Sequence, residues 1–358
     1  MEKLRLGIIG CGGIANNKHL PSIKLAGGAD VVAFCDIIEE RAVKTAQEFG
    51  IPDAKVFADY KDLLKLNLDA VYVCTPNRSH SIITVDALRS GKHVMCEKPM
   101  AISYAEAKKM LDAAKETGKL LTIGYQNRYR PDSLYLKAAC EDGELGDVYH
   151  AKANAIRRRA VPTWGVFLNE REQGGGPLID IGTHALDLTL WMMNNYKPKY
   201  AVGTVYHKLN GDKQTANAWG DWDTDTFTVE DSAFGFIVME DGACIQLGAS
   251  WALNTLDVEE ATATLCGTKG GADMHDGLRL NGVRHNRQYV TKPALGAGSV
   301  AFYEGKGDSP QLVEQETFFR AIRGEGELVV LPEQAIVVTR ILEGIYESAR
   351  TGKPYYFD

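Results

Sequence analysis

The chain contains no run of about 18 consecutive apolar residues, the length that a membrane-spanning helix requires. The apolar stretch after Met1–Arg5 is short and soon interrupted by glycines, which is atypical of a secretory signal peptide. From these absences we expect a cytoplasmic protein with no membrane partner.

Concentrated positive charge is also absent. The formal net charge is −7, and the densest cationic run, Arg157–Arg159, is only three residues long. Proteins that track a phosphate backbone carry a larger basic patch or stripe. We therefore expect no nucleic-acid partner.

The seven cysteines show no C-x-x-C spacing, so the sequence offers neither a zinc-ligand pattern nor a disulfide framework. Most of them stand inside or beside apolar, strand-like runs, where a free thiol behaves as a small core residue. We expect no metal and a reducing compartment. These cysteines are Cys35, Cys74, Cys96, Cys244 and Cys266.

The first 125 residues alternate between strand and helix patterns, as βαβ units do. The strand candidates are Leu4–Ile9, Val31–Cys35, Lys55–Phe57, Ala70–Cys74, His93–Cys96 and Leu120–Tyr125. The helix candidates are Glu39–Phe49, Asp59–Leu66, Ser79–Ser90 and Ser103–Thr117. This order predicts an α/β domain over residues 1–125 with a doubly wound parallel sheet.

After Tyr125 the strands become longer and partly alternating, which predicts a second α/β domain with a mostly antiparallel sheet over residues 126–358. The strand candidates are residues 148–159, 199–208, 230–239, 242–251 and 258–266, with a tight hairpin at Glu240–Gly242. The helix candidates are residues 178–193, 311–323 and 333–350, and a long loop is predicted at Lys208–Thr226.

A glycine turn, Gly10-x-Gly12-x-x-Ala15, follows the first strand candidate directly. The first glycine permits a tight turn, the second lets the backbone approach a pyrophosphate, and Ala15 allows close packing of the helix. Alone this motif is weak, but the second strand ends in Asp36, where a carboxylate can accept hydrogen bonds from both hydroxyls of an adenine ribose. Asp36 as an N-cap of the following helix remains an alternative.

The residue after Asp36 bears on the choice of dinucleotide. Ile37 is apolar, and an acidic residue beside an apolar one disfavours a 2′-phosphate, so NAD is the predicted cofactor. Arg41, one helical turn further on, keeps NADP open as the less favoured alternative.

Two further stretches end predicted parallel strands, at the sheet edge where open α/β sheets bind ligands. Thr75-Pro76-Asn77 either borders the nicotinamide of a bound cofactor or forms a turn with no role in binding. His80 either lines the cofactor groove or lies on the helix surface. Glu97-Lys98-Pro99 follows directly after a buried strand. Pro99 makes the turn rigid, and a cis peptide bond before it could direct the Lys98 ammonium into a cleft. The alternative for Lys98 is a surface salt bridge.

A fourth stretch, Gly174–Asp187, combines a glycine-rich loop, expected to be flexible, with an apolar helix. Asp180 and His184 stand four residues apart and so share one face of that helix. They are either catalytic groups or a core histidine bonded to its own aspartate.

Taken together, these motifs resemble the glucose-fructose oxidoreductase, inositol dehydrogenase and MocA (Gfo/Idh/MocA) family along nearly the whole chain. The resemblance rests on the glycine turn, on Glu97-Lys98-Pro99, on Gly124-Tyr125-Gln126-Asn127-Arg128 and on Gly176–His184. It implies a Rossmann domain followed by an open-sheet domain whose outer face often forms dimers or tetramers.

The same resemblance assigns site residues. It implies that Lys98, Asp180 and His184 are catalytic. The residues predicted to bind the cofactor are Gly10, Gly12, Gly13, Ile14, Asp36, Ile37, Thr75, Pro76, Asn77, His80, Glu97, Lys98, Pro99 and Gln126.

The chemistry follows from what a secondary alcohol must lose on oxidation. A hydride must reach the nicotinamide while a proton leaves the oxygen, which requires a base. The prediction is that His184 is this base, that Lys98 stabilises the developing alkoxide, and that Asp180 fixes a neighbouring hydroxyl or orients the pair.

A polar, partly aromatic wall suits a polyhydroxylated substrate. Its candidates, with Lys98, Asp180 and His184, are Arg128, Arg157, Trp164 and the strand end at Trp251. Cyclitols, aldoses and glycosides all remain open as substrates, because no sequence feature selects among them.

Two other functions remain open beside the dehydrogenase. One is a lyase or glycosidase that recycles tightly bound NAD. The other is a nucleotide sensor without catalysis, which the retained Lys98 and His184 disfavour because a sensor needs no base.

Overall fold

The structure is a computed structural model in which residues 2–295 and 309–357 are described. The chain forms two compact units, Met1–Tyr129 with Asp308–Ile336, and Arg130–Gly307 with Val337–Asp358. The division at residue 125 stays a prediction of the domain boundary. The segment Asp308–Ile336 groups with the first unit, which the sequence did not suggest.

A six-stranded parallel sheet forms the centre of the first unit, which confirms the predicted fold class. Its strands are β1 (Leu4–Ile9), β2 (Ala29–Cys35), β3 (Lys55–Phe57), β4 (Ala70–Val73), β5 (His93–Cys96) and β6 (Leu121–Ile123). They are ordered β3-β2-β1-β4-β5-β6, so the strand order reverses between β1 and β4. Ligands of open α/β sheets bind at such a reversal, beyond the carboxyl ends of the strands.

The helices within the first 125 residues mostly match their predicted ranges, although the helix at Leu20–Ala26 was not predicted. They are α1 (Leu20–Ala26), α2 (Glu39–Phe49), α3 (Tyr60–Leu63), α4 (His80–Arg89) and α5 (Tyr104–Thr117). Helix α5 is capped at both ends, since the Ser103 hydroxyl accepts a hydrogen bond from the Glu106 amide at 3.3 Å and Gly118 ends the helix in a left-handed conformation. Helix α3 is shorter than predicted.

The segment after the glycine turn departs from regular α-helix. Residues Ala15–His19 form a π-helical turn that leads into α1. Such turns are rare and are often found at functional sites. This one places Lys18 and His19 in the interior of the unit, where both side chains are buried.

A nine-stranded sheet forms the second unit, in the order β14-β13-β12-β11-β7-β10-β9-β8-β15. Among the strands of the described residues, only β7 and β10 pair in parallel in this sheet, so the predicted mostly antiparallel sheet is confirmed. Its strands are β7 (Val148–Ile156), β8 (Pro198–Tyr206), β9 (Ser232–Met239), β10 (Cys244–Ser250), β11 (Glu259–Gly267), β12 (Gly270–Asp273), β13 (Arg279–Arg284), β14 (Arg287–Thr291) and β15 (Tyr355–Tyr356).

The last four of these strands were not predicted. Strand β12 begins with two glycines, and every residue of β14 is exposed, so neither carries the apolar alternation by which a strand is recognised. The hairpin between β9 and β10 is confirmed, with the Met239 amide donating to the Ala243 carbonyl at 2.8 Å and Gly242 at a φ of 89°. The predicted loop Lys208–Thr226 contains neither helix nor strand.

The remaining helices are α6 (Pro131–Glu141), α7 (Glu170–Gln173), α8 (Thr183–Met193), α9 (Pro310–Ile322) and α10 (Pro332–Thr351). Helix α8 is preceded by a π-helical turn, Leu178–Gly182, and its residues are buried nearly throughout against β7 and β11. Among the described residues, no helix combines the length and the apolar character needed to cross a membrane. All seven cysteines are free thiols, and Cys244 and Cys266 are only half-buried.

Candidate active site

The glycine turn has the backbone that its sequence predicts. Gly10 adopts a φ of 93°, and a Cβ at this position would lie 2.6 Å from the carbonyl carbon and oxygen of Cys74, so no other residue fits. A Cβ at Gly12 would meet no atom within 4 Å. The first glycine therefore packs against the neighbouring strand end, whereas the second borders open space that a pyrophosphate could occupy.

Asp36 fixes the position of this turn. One carboxylate oxygen accepts a hydrogen bond from the Cys11 amide at 2.8 Å, and the other accepts one from the Ile38 amide at 2.9 Å. The N-cap of α2 is Ile38, so the alternative in which Asp36 caps this helix is not what the structure shows. An ionised carboxylate has about four acceptor positions, which leaves capacity for ribose hydroxyls. The neighbouring Ile37 is 91% exposed.

A buried hydroxyl without a partner lies at the end of β4. Thr75 Oγ1 is shielded from solvent and has no hydrogen-bond partner within residues 2–295 and 309–357. Leaving such a group unpaired costs about 1–3 kcal/mol. Thr75 stands next to the glycine turn at the carboxyl edge of the sheet, where a bound cofactor could supply a partner for this hydroxyl.

His80 connects two of the predicted site segments. Its ring nitrogens lie 2.8 Å from the Pro99 carbonyl oxygen and 2.9 Å from the Thr75 carbonyl oxygen. The side chain is buried, so His80 is not on the helix surface, and this burial lowers its pKa. His80 thereby ties the turn after β4 to the turn after β5, while Asn77, also buried, lies in the short helical turn between them.

The turn after β5 holds Lys98 by its backbone. The Lys98–Pro99 peptide bond is cis, as the sequence allowed. The Lys98 amide donates to the Glu97 carboxylate at 3.1 Å. The position of the Lys98 backbone therefore depends on how firmly Glu97 is held.

Glu97 is held by a buried charge cluster that the sequence reasoning missed. One Glu97 oxygen lies 2.7 Å from Lys18 Nζ and 2.7 Å from His19 Nε2. Lys18 Nζ also lies 3.1 Å from a Glu314 oxygen and donates to the Gln126 side-chain oxygen at 3.0 Å. We call Lys18, His19, Glu97 and Glu314 the charge cluster.

The opposite charges in this cluster stabilise the ionised forms of Glu97 and Lys18. Burial alone would raise the pKa of Glu97, but the adjacent Lys18 ammonium and the hydrogen bond from His19 hold it well below its usual value. Burial alone would lower the pKa of Lys18, but Glu314 and Glu97 raise it above its usual value. Glu97 is therefore a carboxylate and Lys18 an ammonium at neutral pH.

The sequence suggested that Arg128 lines an open substrate wall, but the structure does not place it there. It is fully buried in the first unit, where it donates to the Val329 carbonyl at 2.9 Å and to the Gln334 side chain at 2.6 Å. These contacts assign Arg128 to the packing of residues 329–334, because a guanidinium enclosed in this way has no surface for a substrate.

In the second unit, Asp180 and His184 are both buried and come from the π-helical turn and the first turn of α8. The indole nitrogen of Trp251, directly after β10, donates to the Asp180 carboxylate at 3.0 Å. Asp180 is thus oriented by a fully buried aromatic side chain, a contact between residues 71 positions apart in sequence.

The glycine-rich loop before this turn is tightly packed, and its expected flexibility stays a prediction. A Cβ at Gly175 would overlap the Tyr346 hydroxyl, and one at Gly176 would overlap the Glu230 carbonyl. The Glu230 carboxylate accepts hydrogen bonds from the amides of Gly176 at 2.8 Å and Leu178 at 3.1 Å, and burial raises its pKa. Glu230 therefore fixes the start of the helix that carries Asp180, and sequence reasoning missed it.

The predicted substrate residues Arg157 and Trp164 lie near one another in the same unit. Arg157 forms an ion pair with Glu260, and its guanidinium lies over the Trp219 ring at 5.2 Å from the centroid. The Trp219 ring in turn contacts Trp164, with ring centroids 5.0 Å apart. Arg158 is exposed, whereas Arg157 and Arg159 are partly buried, and all three residues follow the end of β7 at Ile156.

Comparison with known proteins gives this arrangement a family. Residues 4–125 match a family model described as an oxidoreductase family with an NAD-binding Rossmann fold, and residues 133–273 match the GFO/IDH/MocA C-terminal domain. The predicted cofactor, NAD, and the predicted class of enzyme, an oxidoreductase, are thereby confirmed.

Individual relatives agree with the family models. A D-glucoside 3-dehydrogenase from Escherichia coli K12 is 34% identical over 350 residues, which is 98% of this chain and 96% of the relative. An inositol 2-dehydrogenase from Salmonella typhimurium is 28% identical but covers only 54% of this chain and 56% of its own length. The solved structure of levoglucosan dehydrogenase in complex with NADH and levoglucosan has the same fold, with a TM-score of 0.82 at 20% identity over 99% of both chains. The chain belongs to the GFO/IDH/MocA oxidoreductase family.

Proposed function

We propose that the chain oxidises a secondary hydroxyl of a glucoside, at C3 of the sugar ring, with NAD as the oxidant. The observation that carries this proposal is the 34% identity to a D-glucoside 3-dehydrogenase along nearly the full length of both proteins. The inositol dehydrogenase is similar over about half of the chain, so a cyclitol substrate has weaker support.

NAD, when bound, accepts the hydride from the ring carbon. The residues suited to hold it are the glycine turn at the pyrophosphate, Asp36 at the adenine ribose, and Thr75 near the nicotinamide. The open space beside Gly12 and the unpaired Thr75 hydroxyl support this placement.

The chain's own residues handle the proton. We propose that His184 removes it from the reacting hydroxyl, and that Lys98 donates a hydrogen bond to the same oxygen as negative charge develops there. Asp180, oriented by Trp251, would accept a hydrogen bond from a neighbouring hydroxyl of the sugar. The anchoring of the Lys98 backbone by Glu97 supports its role, since such a donor must be positioned in advance.

The test is NADH absorbance after mixing the protein with NAD and panels of glucosides, free aldoses and inositol isomers at mildly alkaline pH. Continuous NADH production with glucosides is the expected result. Production only with inositols would contradict the substrate assignment. A signal no larger than the enzyme concentration would indicate that NAD is recycled within each turnover, as in a redox-assisted lyase.

Replacement of Asp36 by serine tests the cofactor assignment. The carboxylate would repel a 2′-phosphate and can bind the two ribose hydroxyls, so Asp36→Ser should weaken NAD binding by about tenfold and reduce the preference for NAD over NADP. The measurement is a fluorescence titration of wild type and variant with both reduced cofactors. Asp53→Ser, at an exposed turn, is the control. An unchanged NAD-to-NADP ratio in Asp36→Ser would refute the assignment.

A further inference from the structure

Two tryptophans on irregular loops of the second unit are in contact with each other and also with solvent. Trp164 is 52% exposed and Trp219 is 43% exposed, and their rings meet edge to face at 72°. Single exposed aromatics are common, but exposed apolar patches often mark ligand-binding surfaces. We call Trp164 and Trp219 the tryptophan pair.

The loops that carry the pair are held together by hydrogen bonds rather than left free. The Asn217 side chain accepts from the Val161 amide at 2.8 Å and donates to the Val161 carbonyl at 3.0 Å. The Ala218 amide donates to the Arg159 carbonyl at 3.0 Å, and the Thr163 hydroxyl donates to the Trp219 carbonyl at 2.7 Å. The pair therefore keeps its arrangement before any ligand binds, which lowers the entropy cost of binding.

The same loops connect directly to the candidate active site of this unit. The Trp251 indole donates to Asp180, and the Trp251 carbonyl accepts from the Ala160 amide at 2.9 Å. Ala160 is followed by Val161, which Asn217 ties to the loop of Trp219. A continuous hydrogen-bonded path thus runs from the Asp180 carboxylate to the tryptophan pair.

The Trp219 ring is also held in place by a cation–π contact with Arg157. The Arg157 guanidinium lies over Trp219 and is itself held by two hydrogen bonds to the Glu260 carboxylate. Arg157 is therefore engaged in positioning Trp219. The exposed indole rings of the tryptophan pair offer apolar faces against which the face of another ring can pack.

We infer that the tryptophan pair is a subsite for the aglycone, and that the substrate is a glucoside whose aglycone contains a second ring, either another sugar or an aryl group. This inference rests on the proposed function, because the glucose ring is placed at Asp180. The C–H face of a sugar ring and the face of an aryl ring both bury apolar area against indole. A free aldose or an inositol has no ring left to occupy the subsite once its reacting ring lies at Asp180.

The experiment compares methyl and phenyl glucosides of the same anomer, for both anomers, by calorimetric titration of the protein loaded with NADH. No turnover occurs in this complex, so binding is measured even if glucosides are not oxidised. Burial of one ring face should make the phenyl glucoside bind about tenfold more tightly than the methyl glucoside. Trp219→Ala and Trp164→Ala should each remove most of this difference.

Two further variants make the test specific. Thr163→Val removes the hydrogen bond to Trp219 without deleting an aromatic ring, and it should reduce the phenyl advantage by a few fold. Tyr149→Ala removes an exposed aromatic side chain at the start of β7, at the other end of the strand from Arg157. This variant should leave the tighter binding of phenyl glucoside unchanged. Every variant is measured by sedimentation as well, to determine whether the tryptophan pair lies at a contact between two copies of the chain.

Equal affinities of the two glucosides for the wild type would overturn the inference. So would a phenyl advantage that survives in both tryptophan variants, or a change of oligomeric state in these variants with no change in the advantage. The proposed function fails separately, in the NADH assay. If the protein binds phenyl glucoside through the tryptophan pair but oxidises no glucoside, the subsite inference stands and the proposed function is refuted.

Discussion

Replacement of His184 by alanine is expected to reduce kcat for glucoside oxidation by about 10²–10⁴-fold, the usual contribution of a positioned acid or base. Lys98→Met should have an effect of similar size, because it removes the hydrogen bond to the developing alkoxide. NAD affinity should remain within a few fold of wild type in both variants, since neither role requires contact with the adenosine half of the cofactor. Stopped-flow NADH formation and cofactor titration measure the two quantities separately.

His207→Ala and Lys61→Met are matched controls, because both side chains are exposed and lie outside the candidate site. Both should retain wild-type kcat. Near-normal turnover in His184→Ala or Lys98→Met would remove the corresponding catalytic assignment. A loss of NAD binding equal to the loss of kcat would instead make the residue part of the cofactor site.

The charge cluster gives the second large expected effect. Lys18→Met leaves the Glu97 and Glu314 carboxylates buried without their shared counter-charge, which typically costs about 3–5 kcal/mol of folding free energy. It should also reduce kcat, because Glu97 then no longer fixes the Lys98 backbone. Chemical denaturation and steady-state kinetics test these two consequences.

The pH dependence of this loss has a definite sign. In wild type the pKa of Glu97 is lowered, so its contribution to stability is present above its unfolded pKa and is lost as the pH falls through the folded value. In Lys18→Met the main cause of that lowering is gone, and burial favours the protonated carboxyl group. The stability difference between wild type and variant should therefore be larger at pH 8 than at pH 5.

Two controls separate the cluster from charge in general. Lys65→Met deletes an exposed ion pair with Asp62 and should leave the unfolding midpoint nearly unchanged. The double variant Lys18→Met/Glu314→Gln should recover part of the lost stability, because one uncompensated carboxylate is removed. If Lys18→Met is as stable as wild type at pH 8, the cluster does not hold Glu97 as described.

Local sequence features predicted most of the first unit. The strands and α5 end near the predicted residues because apolar runs, the Ser103 cap and Gly118 each act over a few positions. The glycine turn was predictable for the same reason, since its steric requirement involves only the turn and the adjacent strand end.

Features that depend on contacts distant in sequence were not predictable. Glu314 reaches Lys18 from almost 300 positions away, and the Trp251 indole reaches Asp180 from 71. Lys18 and His19 gave a local signal, two polar residues at the start of an apolar helix, but a buried and an exposed lysine look identical in sequence. Arg128 shows the opposite error, because an arginine assumed to face a substrate is buried and donates to the Val329 carbonyl and the Gln334 side chain.

The glycines before α8 show the same limitation. A glycine run indicates flexibility when nothing packs against it, whereas here Tyr346 and Glu230 occupy the space that side chains would need. Both partners lie far along the chain. The sequence therefore led to the prediction that Asp180 and His184 are site residues, but it did not indicate the packing that holds their helix in place.

The central claim is that hydrogen moves from C3 of a glucoside to the nicotinamide, and isotope transfer tests it most directly. Methyl glucosides carrying deuterium at C2, C3 or C4 are incubated separately with the protein and NAD, and the NADH formed is analysed by mass spectrometry. Our account predicts NADH one mass unit heavier from the C3-labelled glucoside alone. Heavier NADH from the C2- or C4-labelled glucoside, or unlabelled NADH from all three, would contradict it.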